Sequence, residues 1–111
     1  MSFKIVLTEK FKKEAKRLSK KYPSLKIELS ELNTNLSSDP TSGISLGSNT
    51  YKIRIAIKSK GTGKSGGARV ITYVITENKK VFLLTIYDKA DMDSIDDKAV
   101  KHIIKNLNPD Q

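Results

Sequence analysis

The stretch from Lys58 to Arg69 reads KSKGTGKSGGAR and concentrates groups suited to binding phosphate. Lys58, Lys60 and Lys64 are compact positive charges on flexible stems, and Arg69 adds a planar fork that matches two phosphate oxygens. Gly61, Gly63, Gly66 and Gly67 let backbone approach a partner closely and keep the connection mobile. The Gly-Lys-Ser inside it is also the ending of a nucleotide-binding P-loop. That pattern requires glycine at position 58, which is Lys58, and a helix immediately afterwards. The next residues, GGARVITYVIT, have the composition of a strand, so no helix N-terminus would face a phosphate. A nucleotide cofactor is therefore not expected. A basic loop that tracks a sugar-phosphate backbone without reading its bases is.

Other candidates lie close by. Arg54 stands on YKIRIAIK, just before the loop, and Tyr87 and Lys89 stand in TIYDKAD, at the end of an apolar segment. Arg54, Lys60 and Lys64 are read as contacts to a sugar-phosphate backbone. Arg69 has a structural alternative, a salt bridge to Asp88. Tyr87 has one as a core aromatic, and Lys89 as a solvated charge. The chain carries one histidine, His102, and no cysteine, and no carboxylates are paired near the basic stretch, so no metal site is expected. Asp91, Asp93, Asp96 and Asp97 lack the spacing and final Glu of an EF-hand, and capping of a helix is the simpler account.

The whole chain has 111 residues, 21 Lys and Arg against 12 Asp and Glu, and a net charge of +9. These numbers imply a single domain (1–111) with an affinity for polyanions. No acid lies between Asp39 and Glu77, whereas that span holds Lys52, Arg54, Lys58, Lys60, Lys64 and Arg69. The absence of cysteine, of a signal-peptide pattern and of a long apolar run predicts a soluble cytoplasmic protein with no membrane partner.

The elements that must position these groups are legible from periodicity. FKIVL predicts a strand, followed by a helix capped by Thr8 with Phe11, Ala15, Leu18 and Tyr22 on its apolar stripe. Pro23 ends that helix and opens a second one carrying Leu25, Leu29, Leu32 and Leu36. SSDPTSGISLGSNT has loop composition. YKIRIAIK alternates, with Tyr51, Ile53, Ile55 and Ile57 on one face and Lys52, Arg54, Ala56 and Lys58 on the other. ARVITYVIT predicts a central strand and VFLLTIY a third apolar one. A last helix, capped by Asp93 or Ser94, carries Ile95, Ala99, Ile103 and Leu107. The result is an α+β fold. A small, mostly antiparallel sheet packs against an N-terminal helical hairpin, with a C-terminal helix and all helices on one face.

Taken in order, FKKEAKRLSKKYPSL, LGSNTYKIRIAI, GKSGGARVITYVIT and KVFLLTIYDKADMDSI resemble the RelE/HigB toxins of type II toxin–antitoxin systems over nearly the whole chain. The resemblance implies a ribosome-dependent mRNA endoribonuclease that inhibits translation, with ribosome, mRNA and a cognate antitoxin as partners. It implies attack by the RNA 2′-hydroxyl without a metal, giving a 2′,3′-cyclic phosphate. Arg69 then falls at the family's arginine, and Tyr87 and Lys89 at its end-of-strand catalytic positions. Lys58 is a further candidate for proton transfer. A gyrase inhibitor of the related ParE branch, or an RNA-binding module without catalysis, is the alternative on the same fold. Some relatives use histidines near the site as acid and base, a feature that His102 on the last helix does not supply.

Overall fold

The computed structural model describes residues 2–61, 63–92 and 94–107. Strand β1 (Lys4–Leu7) leads into helices α1 (Glu9–Lys21) and α2 (Leu25–Ser38). Strands β2 (Ile44–Gly47), β3 (Thr50–Ile55), β4 (Ala68–Ile75) and β5 (Lys80–Asp88) come next, and helix α3 (Asp97–Lys105) is last. The sheet runs β1-β5-β4-β3-β2. Among the described residues only the β1–β5 pair is parallel, with Ile5 opposite Val81 and Leu7 opposite Leu83. β4 lies at the centre, as its more apolar composition predicts.

Local chemistry explains most boundaries. The Thr8 hydroxyl accepts the Phe11 N–H at 3.2 Å and so caps α1, while donating to the Leu83 carbonyl at 2.9 Å. One side chain thus starts the helix and ties it to β5. Tyr22 and Pro23 break the hairpin, and α2 begins after Ser24. Phe11, Leu18, Tyr22, Leu25, Leu32 and Leu36 meet Ile53, Ile55, Ile57, Val70, Leu83 and Ile86 in the main core. Burying one such aliphatic side chain contributes about 1.5–3 kcal/mol.

Three expectations are corrected. The helices do not share one face. Val100 and its partly buried neighbours Ile95, Ile103 and Ile104 cover a second core on the opposite side, built on Val6, Ile71, Phe82, Leu84 and Tyr87. β4 and β5 carry apolar residues on both faces, so both faces must be covered. Second, the segment read as a loop contains β2. Ser48 and Asn49 both take positive φ (51° and 64°), the geometry of a two-residue hairpin turn into β3. Third, α3 is capped by Asp96, whose carboxylate accepts the Lys98 N–H at 3.2 Å. Of the two expected caps, Ser94 is not the one used, and Asp93 lies outside the described residues.

Candidate nucleic-acid interface

The β3–β4 connection is built, not loose. It contains two 3-10 turns, Lys58–Lys60 and Lys64–Gly66. Gly61 closes the first with φ of 78°. Gly67 allows a close crossing, since a Cβ there would stand 1.9 Å from the Ile55 carbonyl oxygen. The Gly67 carbonyl in turn accepts the Lys89 N–H at 3.0 Å. The glycines expected to give mobility therefore include two that serve a turn and a tight contact.

Strand register sets the cations. Arg54 lies opposite Arg69, and Arg69 opposite Tyr87, so the three side chains share one face of the sheet. Like charges directly opposite each other destabilise a strand pair unless something absorbs the field. Carbonyl dipoles do so here. The Arg69 guanidinium donates to the Lys64 carbonyl at 2.8 Å, the Ala68 carbonyl at 3.1 Å and the Ser65 carbonyl at 3.0 Å. Arg69 is 3% exposed, and among the described residues no carboxylate pairs with it. This corrects the picture of a guanidinium open to phosphate. The loop folds back over it, because a buried charge needs acceptors and three carbonyls are within reach. Its charge is solvated by dipoles rather than cancelled, and it keeps the loop positive.

Asp88 does not pair with Arg69. It is buried, it accepts the Lys60 ammonium at 2.5 Å and the Tyr22 hydroxyl at 2.7 Å, and it takes the Ala90 N–H at 2.9 Å. Burial pushes its carboxyl up, but the bonds from Lys60, Tyr22 and the Ala90 N–H outweigh that and hold it at about 2. Lys60, expected as an RNA contact, is thereby taken up in an ion pair, its side chain only 15% exposed. Its ammonium also stands 5.6 Å from the Tyr22 ring centroid. The cluster joins the hairpin break, the loop and the end of β5 at one point.

The other expected contacts are open. Arg54, Lys58 and Lys64 are exposed and line one groove of about 300 Å³ at the edge of β3, with Glu28, Glu31 and Asn35 of α2 on its far wall. Tyr87 is 5% exposed and packs in the second core, so its ring has no free face for a base. Lys89 is half-buried directly after β5. His102 is exposed on α3, on the helical tail rather than at the groove. Sequence reading missed Glu28 and Glu14, two carboxylates that accept backbone N–H groups. Glu14 takes the Thr85 hydroxyl at 2.6 Å and the Ile86 N–H at 3.2 Å, where β4 and β5 slip register. Their helical positions look like those of any solvated acid, and only the packing reveals the difference. Among the described residues no cluster of His, Cys, Asp and Glu is grouped to hold a metal ion, and no helix is long and apolar enough to cross a membrane.

Comparison with known proteins matches this architecture. The fold is similar to that of a double arginine-to-alanine mutant of E. coli toxin RelE in the free state, with a TM-score of 0.64, 17% identity, and coverage of 97% of this chain and 100% of that one. The isolated E. coli RelE toxin aligns with a TM-score of 0.54 at 21% identity, covering 95% of this chain and 99% of the other. The family model for the RelE toxin of the RelE/RelB toxin–antitoxin system matches residues 3–108. With the sheet order, the cation-lined loop and that match in agreement, the chain belongs to the RelE toxin family.

Proposed function

We propose that this toxin is a ribosome-dependent endoribonuclease that cleaves mRNA and stops translation, and that a cognate antitoxin neutralises it. The observation that carries the proposal is the groove where Arg54, Lys58 and Lys64 stand exposed together beside the buried charge of Arg69. A polyanion passing the β3 edge meets three exposed cations there.

The chemistry is a transesterification. A base takes the proton of an RNA 2′-hydroxyl, the 2′ oxygen bonds to the adjacent phosphorus, and the bond to the 5′ oxygen breaks. An acid returns a proton to that leaving oxygen. The products are a 2′,3′-cyclic phosphate and a 5′-hydroxyl, and no metal enters the balance. Stabilising the crowded phosphorane is work for cations held in place in advance. In this reading Lys58 meets the phosphate, while Arg54 and Lys64 hold the flanking backbone. Lys89 moves a proton at the end of β5. Arg69 and Tyr87 serve the site from beneath: Arg69 by fixing the loop and supplying field, Tyr87 by seating the end of β5. A ribosome that grips the mRNA supplies the in-line geometry that a site with no nearby histidine lacks.

The test is cleavage of a defined mRNA by purified toxin with and without programmed ribosomes, with the new 5′ ends mapped. Codon-phased ends only with ribosomes present, and their loss in Arg54→Ala/Lys58→Ala, are expected. Intact mRNA alongside gyrase-linked DNA breaks would refute the proposal.

A further inference from the structure

Glu28 is 7% exposed on α2 and has no part in the chemistry just described. Both of its oxygens are engaged. Oε2 accepts the backbone N–H of Lys58 at 2.7 Å, and Oε1 accepts the Ser24 hydroxyl at 3.1 Å. Ser24 and Ser59 then exchange bonds: the Ser24 N–H donates to Ser59 Oγ at 3.2 Å, and the Ser59 N–H donates to Ser24 Oγ at 2.9 Å. The first turn of α2 and the first 3-10 turn of the loop are thus pinned at consecutive residues. An ionised carboxylate makes such a bond about twice as strong as a neutral acceptor.

The placement is specific. Glu28 grips the backbone of Lys58 while the Lys58 side chain stays exposed in the groove that Glu28 itself helps to line. The backbone is fixed and the ammonium is free to swing. A mobile side chain on a fixed root samples a small volume, which is what holding a phosphate in attack geometry requires. Capping alone does not explain Glu28, because its acceptor capacity is directed across to the loop and to the Ser24 side chain.

We infer that Glu28 is a positioning residue for the cleavage reaction: it acts through the Lys58 backbone, with the Ser24–Ser59 pair as the second half of the clamp. The inference rests on the endoribonuclease reading above. Glu28→Ala should slow single-turnover cleavage on ribosomes about tenfold, a modest share of what an ångström of misplacement removes, with ribosome affinity held within about twofold. Glu28→Gln keeps a carbonyl acceptor and should restore most of the rate. Glu28→Ala/Lys58→Ala should be no slower than Lys58→Ala alone, because the first change acts through the second residue.

Amide hydrogen exchange gives a readout independent of cleavage. Lys58 and Ser59 should lose protection in Glu28→Ala while β4 and β5 keep theirs. Should Glu28→Ala fold poorly, Ser59→Ala, which opens only one side of the clamp, is measured in the same way. Additive rate losses in the double variant, or unchanged exchange at Lys58, overturn the inference. A wild-type protein that cleaves no mRNA overturns the parent reading instead, and exchange then still decides whether Glu28 holds the loop.

Discussion

Replacing Asp88 by asparagine tests the buried cluster that fastens the loop to the rest of the molecule. The carboxyl normally titrates at 3.8 and is held at about 2 in the fold. At 1.36 kcal/mol per unit, that difference corresponds to about 2.4 kcal/mol of stability. The folded value lies below the unfolded one, so this contribution is complete above pH 3.8 and is lost as pH falls towards 2. The amide introduced by Asp88→Asn would still accept the Ala90 N–H but would leave the Lys60 ammonium without its counter-charge. Lys60 is partly exposed and can turn to water, so the expected loss at pH 7 is about 2–3 kcal/mol rather than the larger figures seen for sealed ion pairs. Urea unfolding at pH 7 and at pH 2.5, with equal m-values, measures it (both pH values are roughly chosen to bracket the titration). The gap between wild type and Asp88→Asn should be wide at neutral pH and should shrink by more than half in acid. A gap under about 0.5 kcal/mol at pH 7, the range of ordinary surface changes, would refute the reasoning, as would a gap that ignores pH.

The geometry predicts three further outcomes. Gly67→Ala places a Cβ against the Ile55 carbonyl, a backbone atom that cannot swing aside, and should lower stability by about 1–3 kcal/mol in thermal melts. Arg69→Lys keeps the charge but loses the fork onto the Lys64 and Ser65 carbonyls. It should destabilise by about 1.5–3 kcal/mol and raise amide exchange in residues 64–67 before it affects β5. Thr8→Ala removes both the α1 cap and the bond to the Leu83 carbonyl, and should cost about 1–2 kcal/mol in chemical denaturation with the fold intact.

What could be read in advance was what repeats. The alternation of Ile53, Ile55 and Ile57 and the helical stripe of Phe11, Leu18, Leu25 and Leu32 are local, and all of these residues are buried as read. The Thr8 cap is local too. β2 escaped because its four residues are exposed and sit among serines and glycines, so no burial pattern marks it. The position of α3 on the far face escaped because which face a helix covers is decided by strands distant in sequence. The candidate site divides in the same way. Arg54, Lys58 and Lys64 stand open as their charge and loop composition suggest. Arg69 and Lys60 do not, since their partners are loop carbonyls and a distant aspartate with no signature near either residue. Glu28 is the converse case: an acid on a helix that only the folded loop distinguishes from its neighbour Glu31.

The pairing of β1 with β5 has a consequence for the order of folding. Among the described residues, β1 finds its strand partner only in residues 80 to 83, across most of the intervening sequence. The Tyr22 hydroxyl waits even longer, for Asp88. Contacts between such distant segments close late. The β1 edge of the sheet and the anchoring of the basic loop are therefore expected to form after the local β3–β4 and β4–β5 pairings. The loop takes its final place only once the last strand of the sheet has docked and its closing aspartate reaches Lys60.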